Sequence, residues 1–99
     1  MYTTSEIKQR LTPIFSSMPV RKAILFGSYA KGTQKKSSDI DIFIDSNGEI
    51  RGIDFFGVRA DISDALNIPV DLIDARQLVE GGRVQQEIAK TGVVIYERV

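Results

Sequence analysis

The stretch GSYAKGTQKKSSDIDIFID, residues 27–45, decides how the rest of the chain is read. Its second half, from Asp39 to Ile44, alternates acidic or aromatic residues with isoleucine, the period-two pattern of a strand with one buried face. Ile40, Ile42 and Ile44 share one side, so Asp39 and Asp41 share the other, with Cα atoms roughly 6.6 Å apart. Two unpaired carboxylates at that spacing repel, so they need full solvation, a basic partner or a bound cation. Taken alone, the pair reads most simply as two solvated residues of an edge strand, although Asp is depleted in strands.

The first half adds a turn. Ala23-Ile24-Leu25-Phe26 is a short apolar run that reads as a buried strand within 20–26 and ends at Gly27. Gly27-Ser28 then opens a short helical segment to Lys31 that Gly32 stops. Glycine at such a junction lets a ligand approach the backbone, and the free N–H groups of the following turn, with the Ser28 hydroxyl, suit a phosphate. A Gly-Ser pair after a strand is more often only a turn. Gly32 is followed by Thr33 rather than Lys, so this is not a Walker A loop. An EF-hand loop from Asp39 fails too, because Phe43 and Ile44 stand where an oxygen ligand and a glycine are needed.

Outward from this stretch, Thr3-x-x-Glu6 has capping-box spacing, and Ile7, Leu11, Ile14 and Phe15 follow at helical intervals. Pro13 either kinks this helix or starts a second turn capped by Thr12. Residues 45–48, Asp-Ser-Asn-Gly, signal a turn. A helix is expected over much of 52–66, with Phe55, Val58, Ile62 and Ala65 on one face. Pro69 ends it, and Val70-Asp71-Leu72-Ile73 reads as a third strand with Asp71 facing away from Val70 and Leu72. A helix over 83–90 and a strand over 93–96 complete the chain. Strands alternating with helices predict an α/β (α+β) domain, a mixed sheet flanked by helices. The strand order is not legible.

Composition narrows the chemistry. Ninety-nine residues, 42% hydrophobic and 26% charged, make one domain over 1–99. Thirteen basic residues balance thirteen acidic ones, which argues against an extended nucleic-acid or membrane surface. No stretch has the apolar length of a signal peptide or a membrane span, so a cytoplasmic protein is expected. There is no cysteine and no histidine. Thiolate nucleophiles, imidazole bases and Cys or His metal sites are thereby excluded, leaving carboxylates, hydroxyls, Lys, Arg and a hard cation.

Gly27-Ser28, ten intervening residues and Asp39-x-Asp41 resemble the signature of the polymerase-β-type nucleotidyltransferase superfamily. The whole stretch, with the later VDLID and GVVIYE, resembles its minimal nucleotidyltransferase (MNT) family. The resemblance spans nearly the whole chain, and it implies the nucleotidyltransferase fold and a two-metal reaction. Asp39 and Asp41 would hold two Mg²⁺ ions roughly 4 Å apart, and Asp71 would complete one site and help deprotonate the incoming hydroxyl. Gly27 and Ser28 would hold the donor phosphates, with Ser38 as an added contact. Lys31, Lys35 and Lys36 are either triphosphate partners or a solvated basic loop. Tyr29 and Phe43 are expected to pack, and Asp45 to be structural.

Proteins resembling MNT domains commonly act as antitoxins beside a helical HEPN-type RNase toxin, transferring AMP from ATP to a toxin tyrosine. That is the expected activity here. The alternatives are a non-catalytic toxin-binding module with a vestigial nucleotide site, and a small-molecule nucleotidyltransferase. The oligomeric state is left open.

Overall fold

Thr3 and Glu6 cap each other, as their spacing predicts. The Glu6 N–H donates to the Thr3 hydroxyl at 3.1 Å, and the Thr3 N–H donates to the Glu6 carboxylate at 2.9 Å. In this computed structural model, which describes residues 2–35 and 38–98, the helix they start is α1, Thr4–Ser16. It buries Ile7, Leu11 and Phe15. Pro13 does not start a second turn: the helix runs through it, and the Thr12 hydroxyl donates to the Lys8 carbonyl at 2.6 Å instead of capping.

Three antiparallel or parallel pairings order the sheet. Strand β1, Lys22–Phe26, pairs antiparallel with both β2, Ile40–Asp45, and β4, Val93–Glu97. The outer strand β3, Val70–Asp74, runs parallel to β2, giving the order β3-β2-β1-β4. The sheet is therefore mixed, as expected, with β1 and β2 in the middle.

Its two faces differ. Ile40, Ile42 and Ile44 are fully buried and share one core with Ala23, Leu25, Val70 and Ile95. The helix α3, Ile53–Leu66, adds Val58, Ile62 and Leu66 to that core beside α1. Each such side chain contributes roughly 1.5–3 kcal/mol by leaving water. Among the described residues, the opposite face, which carries Asp41 and Asp71, receives two short helices: α2, Gly27–Lys31, and α4, Arg83–Thr91. A thinly covered sheet face is where a cleft can open.

Strand boundaries around the acids move by one residue. The strand expected from Asp39 starts at Ile40, whose N–H donates to the Pro69 carbonyl at 3.1 Å. Pro69 has no N–H to return, so the parallel ladder begins at Ile40 with Val70, and Asp39 lies just ahead of it. β3 runs one residue past Ile73 to Asp74. That buried carboxylate accepts from the Arg76 guanidinium at 3.2 Å and caps a short 3₁₀ turn.

Candidate active site

Gly27 sits at the end of β1 with φ +73°, a conformation that costs an L side chain about 1–2 kcal/mol. Space forbids a side chain there as well. A Cβ on Gly27 would run into the Asp41 carboxylate, with Asp41 Cγ only 3.1 Å away. The register explains this closeness, because Phe26 is the cross-strand partner of Asp41. The bend at Gly27-Ser28 and the first acid of the site are thus packed against each other.

Asp41 and Asp71 are partners in the parallel ladder of β2 and β3. Directly opposed residues of adjacent strands point to the same face with backbones about 4.8 Å apart. Asp71 is exposed, whereas Asp41 is half-buried. Burial, and then the negative charges of Asp71, Glu87 and Asp39, push the Asp41 carboxyl up to about 6, against the pull of Arg83. Gly27, Ser28, Asp41 and Asp71 line one cleft of about 280 Å³. Two acids distant in sequence therefore share a hollow with the glycine bend.

The remaining expected residues differ in their placement. Asp39 is exposed ahead of β2; it adds to the negative field on Asp41 but is not in the cleft wall. Ser38 is also outside the wall, and its hydroxyl accepts from the Lys35 N–H at 2.8 Å, closing a local turn. Lys31 does line the cleft. Lys35 is exposed, and Lys36 falls outside the described residues. Tyr29 and Phe43 are buried, as expected of packing residues. The Asp45 carboxylate accepts from the Asn47 N–H at 2.9 Å and shapes the turn after β2.

The sequence reading passed over two cleft residues on α4, Arg83 and Glu87. The Glu87 carboxylate bridges Lys31 of α2 and Arg83, each at 3.4 Å. Their spacing of four was visible in the sequence, but such pairs are common on exposed helices. Only the placement of α4 over the acid-bearing face sets them apart.

Asp39, Asp41 and Asp71 are the expected metal ligands, and the ladder sets two of them, Asp41 and Asp71, side by side. Among the described residues, no three carboxylates approach closely enough to form a metal cage. The donor chemistry nonetheless fits Mg²⁺. That ion takes oxygen ligands, is commonly held by one or two carboxylates, and completes its shell with water and substrate phosphate. The repelling pair of Asp41 and Asp71, in a cleft with a phosphate-type bend, offers that partial shell.

The chain is similar to several known proteins. Residues 9–99 match the family model described as polymerase beta, nucleotidyltransferase. A candidate protein adenylyltransferase of Methanocaldococcus jannaschii is 39% identical over 77 residues, covering 74% of this chain and 90% of its own. A crystal structure of a toxin-antitoxin with AMP-PNP superimposes with a TM-score of 0.78 at 25% identity, covering 92% of this chain and 73% of that one. The same fold occurs in a complex of tri-AMPylated Shewanella oneidensis HEPN toxin with MNT antitoxin. There the TM-score is 0.73 at 19% identity, over 97% of this chain and 74% of that one.

Proposed function

The chain belongs to the polymerase beta nucleotidyltransferase family, and from that membership we propose that it is a magnesium-dependent protein adenylyltransferase. It transfers AMP from ATP to a hydroxyl of a partner protein. The partner is a HEPN-type toxin, the hydroxyl is a tyrosine, and the modification makes this chain an antitoxin. Use of ATP assigns the reaction to the cytoplasm; among the described residues no helix is long and apolar enough to cross a membrane. The observation that carries the reading is the cleft shared by Gly27, Ser28, Asp41 and Asp71.

The bend at Gly27-Ser28 binds the β- and γ-phosphates. Its glycine admits them close to the backbone, and the Ser28 hydroxyl, half-exposed in the cleft, donates to a phosphate oxygen. Asp41 and Asp71, together with Asp39, hold Mg²⁺. When bound, the cation neutralises charge on the attacking and leaving oxygens. The tyrosine oxygen forms a new bond to the α-phosphorus as the bond to the bridging oxygen of the β-phosphate breaks, releasing pyrophosphate. Asp71, the exposed member of the pair, takes the tyrosine proton. Asp71 is exposed, so a protein acceptor reaches it from solvent.

Incubation with a cognate toxin and ATP labelled at either the α- or the γ-phosphate tests this. Label from the α-position is expected on the toxin, and Asp71→Asn is expected to abolish it. Neutralisation of the toxin by Asp71→Asn, with no label transferred by either protein, would favour a binding module instead.

A further inference from the structure

Lys31, Arg83 and Glu87 form a linked strap in the lining of the cleft. Lys31 closes α2, directly after the Gly27-Ser28 bend, and Arg83 opens α4. Glu87 joins them, one carboxylate oxygen to each cation. All three line the same cleft as Asp41 and Asp71.

Stability does not account for this strap. Arg83 stands at the positive end of the α4 dipole, where a cation is disfavoured, and no acid occupies that first turn. Arg followed by Glu four residues later is also the weaker order for a helical ion pair. The Arg83 side chain is 81% exposed, and exposed pairs contribute little. Both contacts, at 3.4 Å, are longer than the 2.7–2.9 Å of a tight charge-assisted bond, so they are loose and exchangeable. What the strap does achieve is to keep two cations beside a phosphate-type bend. It also places a third negative charge facing a cleft that already holds two.

Resting on the nucleotide-binding reading above, we propose that Arg83 and Lys31 are triphosphate-binding residues and that Glu87 is a placeholder anion. Glu87 holds both cations over the cleft until the β- and γ-phosphates take them. The guanidinium of Arg83 presents paired N–H donors suited to two phosphate oxygens, while Lys31 acts as a point charge. Glu87 is a positioning residue: it touches no substrate and acts through the two cations. Because it competes with phosphate, its charge weakens ATP binding while keeping the cations oriented. AMP, which lacks the β- and γ-phosphates, is indifferent to all three.

Calorimetric titration of the full chain with ATP and with AMP, each with Mg²⁺, tests the assignment. Arg83→Ala is expected to weaken ATP about tenfold while AMP stays within about twofold, and Arg83→Lys to recover part of the loss. Glu87→Gln is expected to tighten ATP severalfold and leave AMP unchanged, which a merely structural carboxylate would not do. Wild-type affinity for ATP in Arg83→Ala would overturn the proposal, as would an equal loss for ATP and AMP or a weaker ATP complex in Glu87→Gln. If the wild-type chain itself bound no ATP, the nucleotide-binding reading would fail as well, so the two failures are told apart.

Discussion

Replacing Asp41 by Asn should make the metal-free protein more stable at neutral pH while abolishing its activity. Asp41 titrates at about 6 in the folded chain against an ordinary value of 3.8, because it is half-buried and faces Asp71, Glu87 and Asp39. Between those two values the folded state binds more protons than the unfolded state, so stability falls as pH rises. The protonated carboxyl's contribution is fully present below about 3.8 and is lost as pH passes about 6. Converted in full, this rise corresponds to about 3 kcal/mol at pH 7.5. Solvent reaches half of the group, and screening reduces the figure to about 1 kcal/mol. Asn keeps the shape against Gly27 and removes the charge. In a domain of this size the gain corresponds to roughly 4–8 °C in Tm. Thermal unfolding in EDTA at pH 7.5 should show Asp41→Asn melting higher than wild type, with the gap closing at pH 4. An Asp41→Asn protein no more stable at pH 7.5, or a gap that persists unchanged at pH 4, would refute the electrostatic reasoning.

Mg²⁺ should raise the wild-type Tm at pH 7.5 and leave Asp41→Asn unmoved, since the ion relieves the same repulsion that the substitution removes. Gly27→Ala should cost about 2 kcal/mol in urea unfolding, from its left-handed backbone and the displaced Asp41 carboxylate, and should end label transfer. Ser28→Ala should change stability by less than about 0.5 kcal/mol yet weaken ATP measurably by calorimetry. Ile42→Ala, at a fully buried position on the core face of β2, should cost about 2–5 kcal/mol by denaturant titration.

Much of this fold is written in local pattern. The Thr3 and Glu6 cap, the isoleucines of β2 and the stop at Gly32 are each set by neighbours in sequence, and each appears where the pattern puts it. Strand order was not legible, because β1 pairs with both β2 and β4 through contacts that no local spacing encodes. The site was legible in the same uneven way. Gly27, Ser28 and Asp41 share one short stretch, and Asp71 could be guessed from its own strand. That Asp71 stands opposite Asp41 is a matter of register between β2 and β3. The start of β2 was placed one residue early, because the alternation continues to Asp39, past the point where Pro69 ends the ladder. Arg83 and Glu87 escaped notice because their role depends on where α4 docks.

The central claim is that Asp41 and Asp71 together hold a divalent cation beside the Gly27-Ser28 bend. Titrating ¹⁵N-labelled protein with trace Mn²⁺ in the presence of ATP measures this directly, because paramagnetic broadening reports distance from the ion. The amide signals of Gly27, Ser28, Asp41 and Asp71 should disappear first, and excess Mg²⁺ should restore them. Broadening that instead begins at the exposed acids Asp54, Asp61 and Asp64 of α3, with the cleft signals intact, would contradict the account.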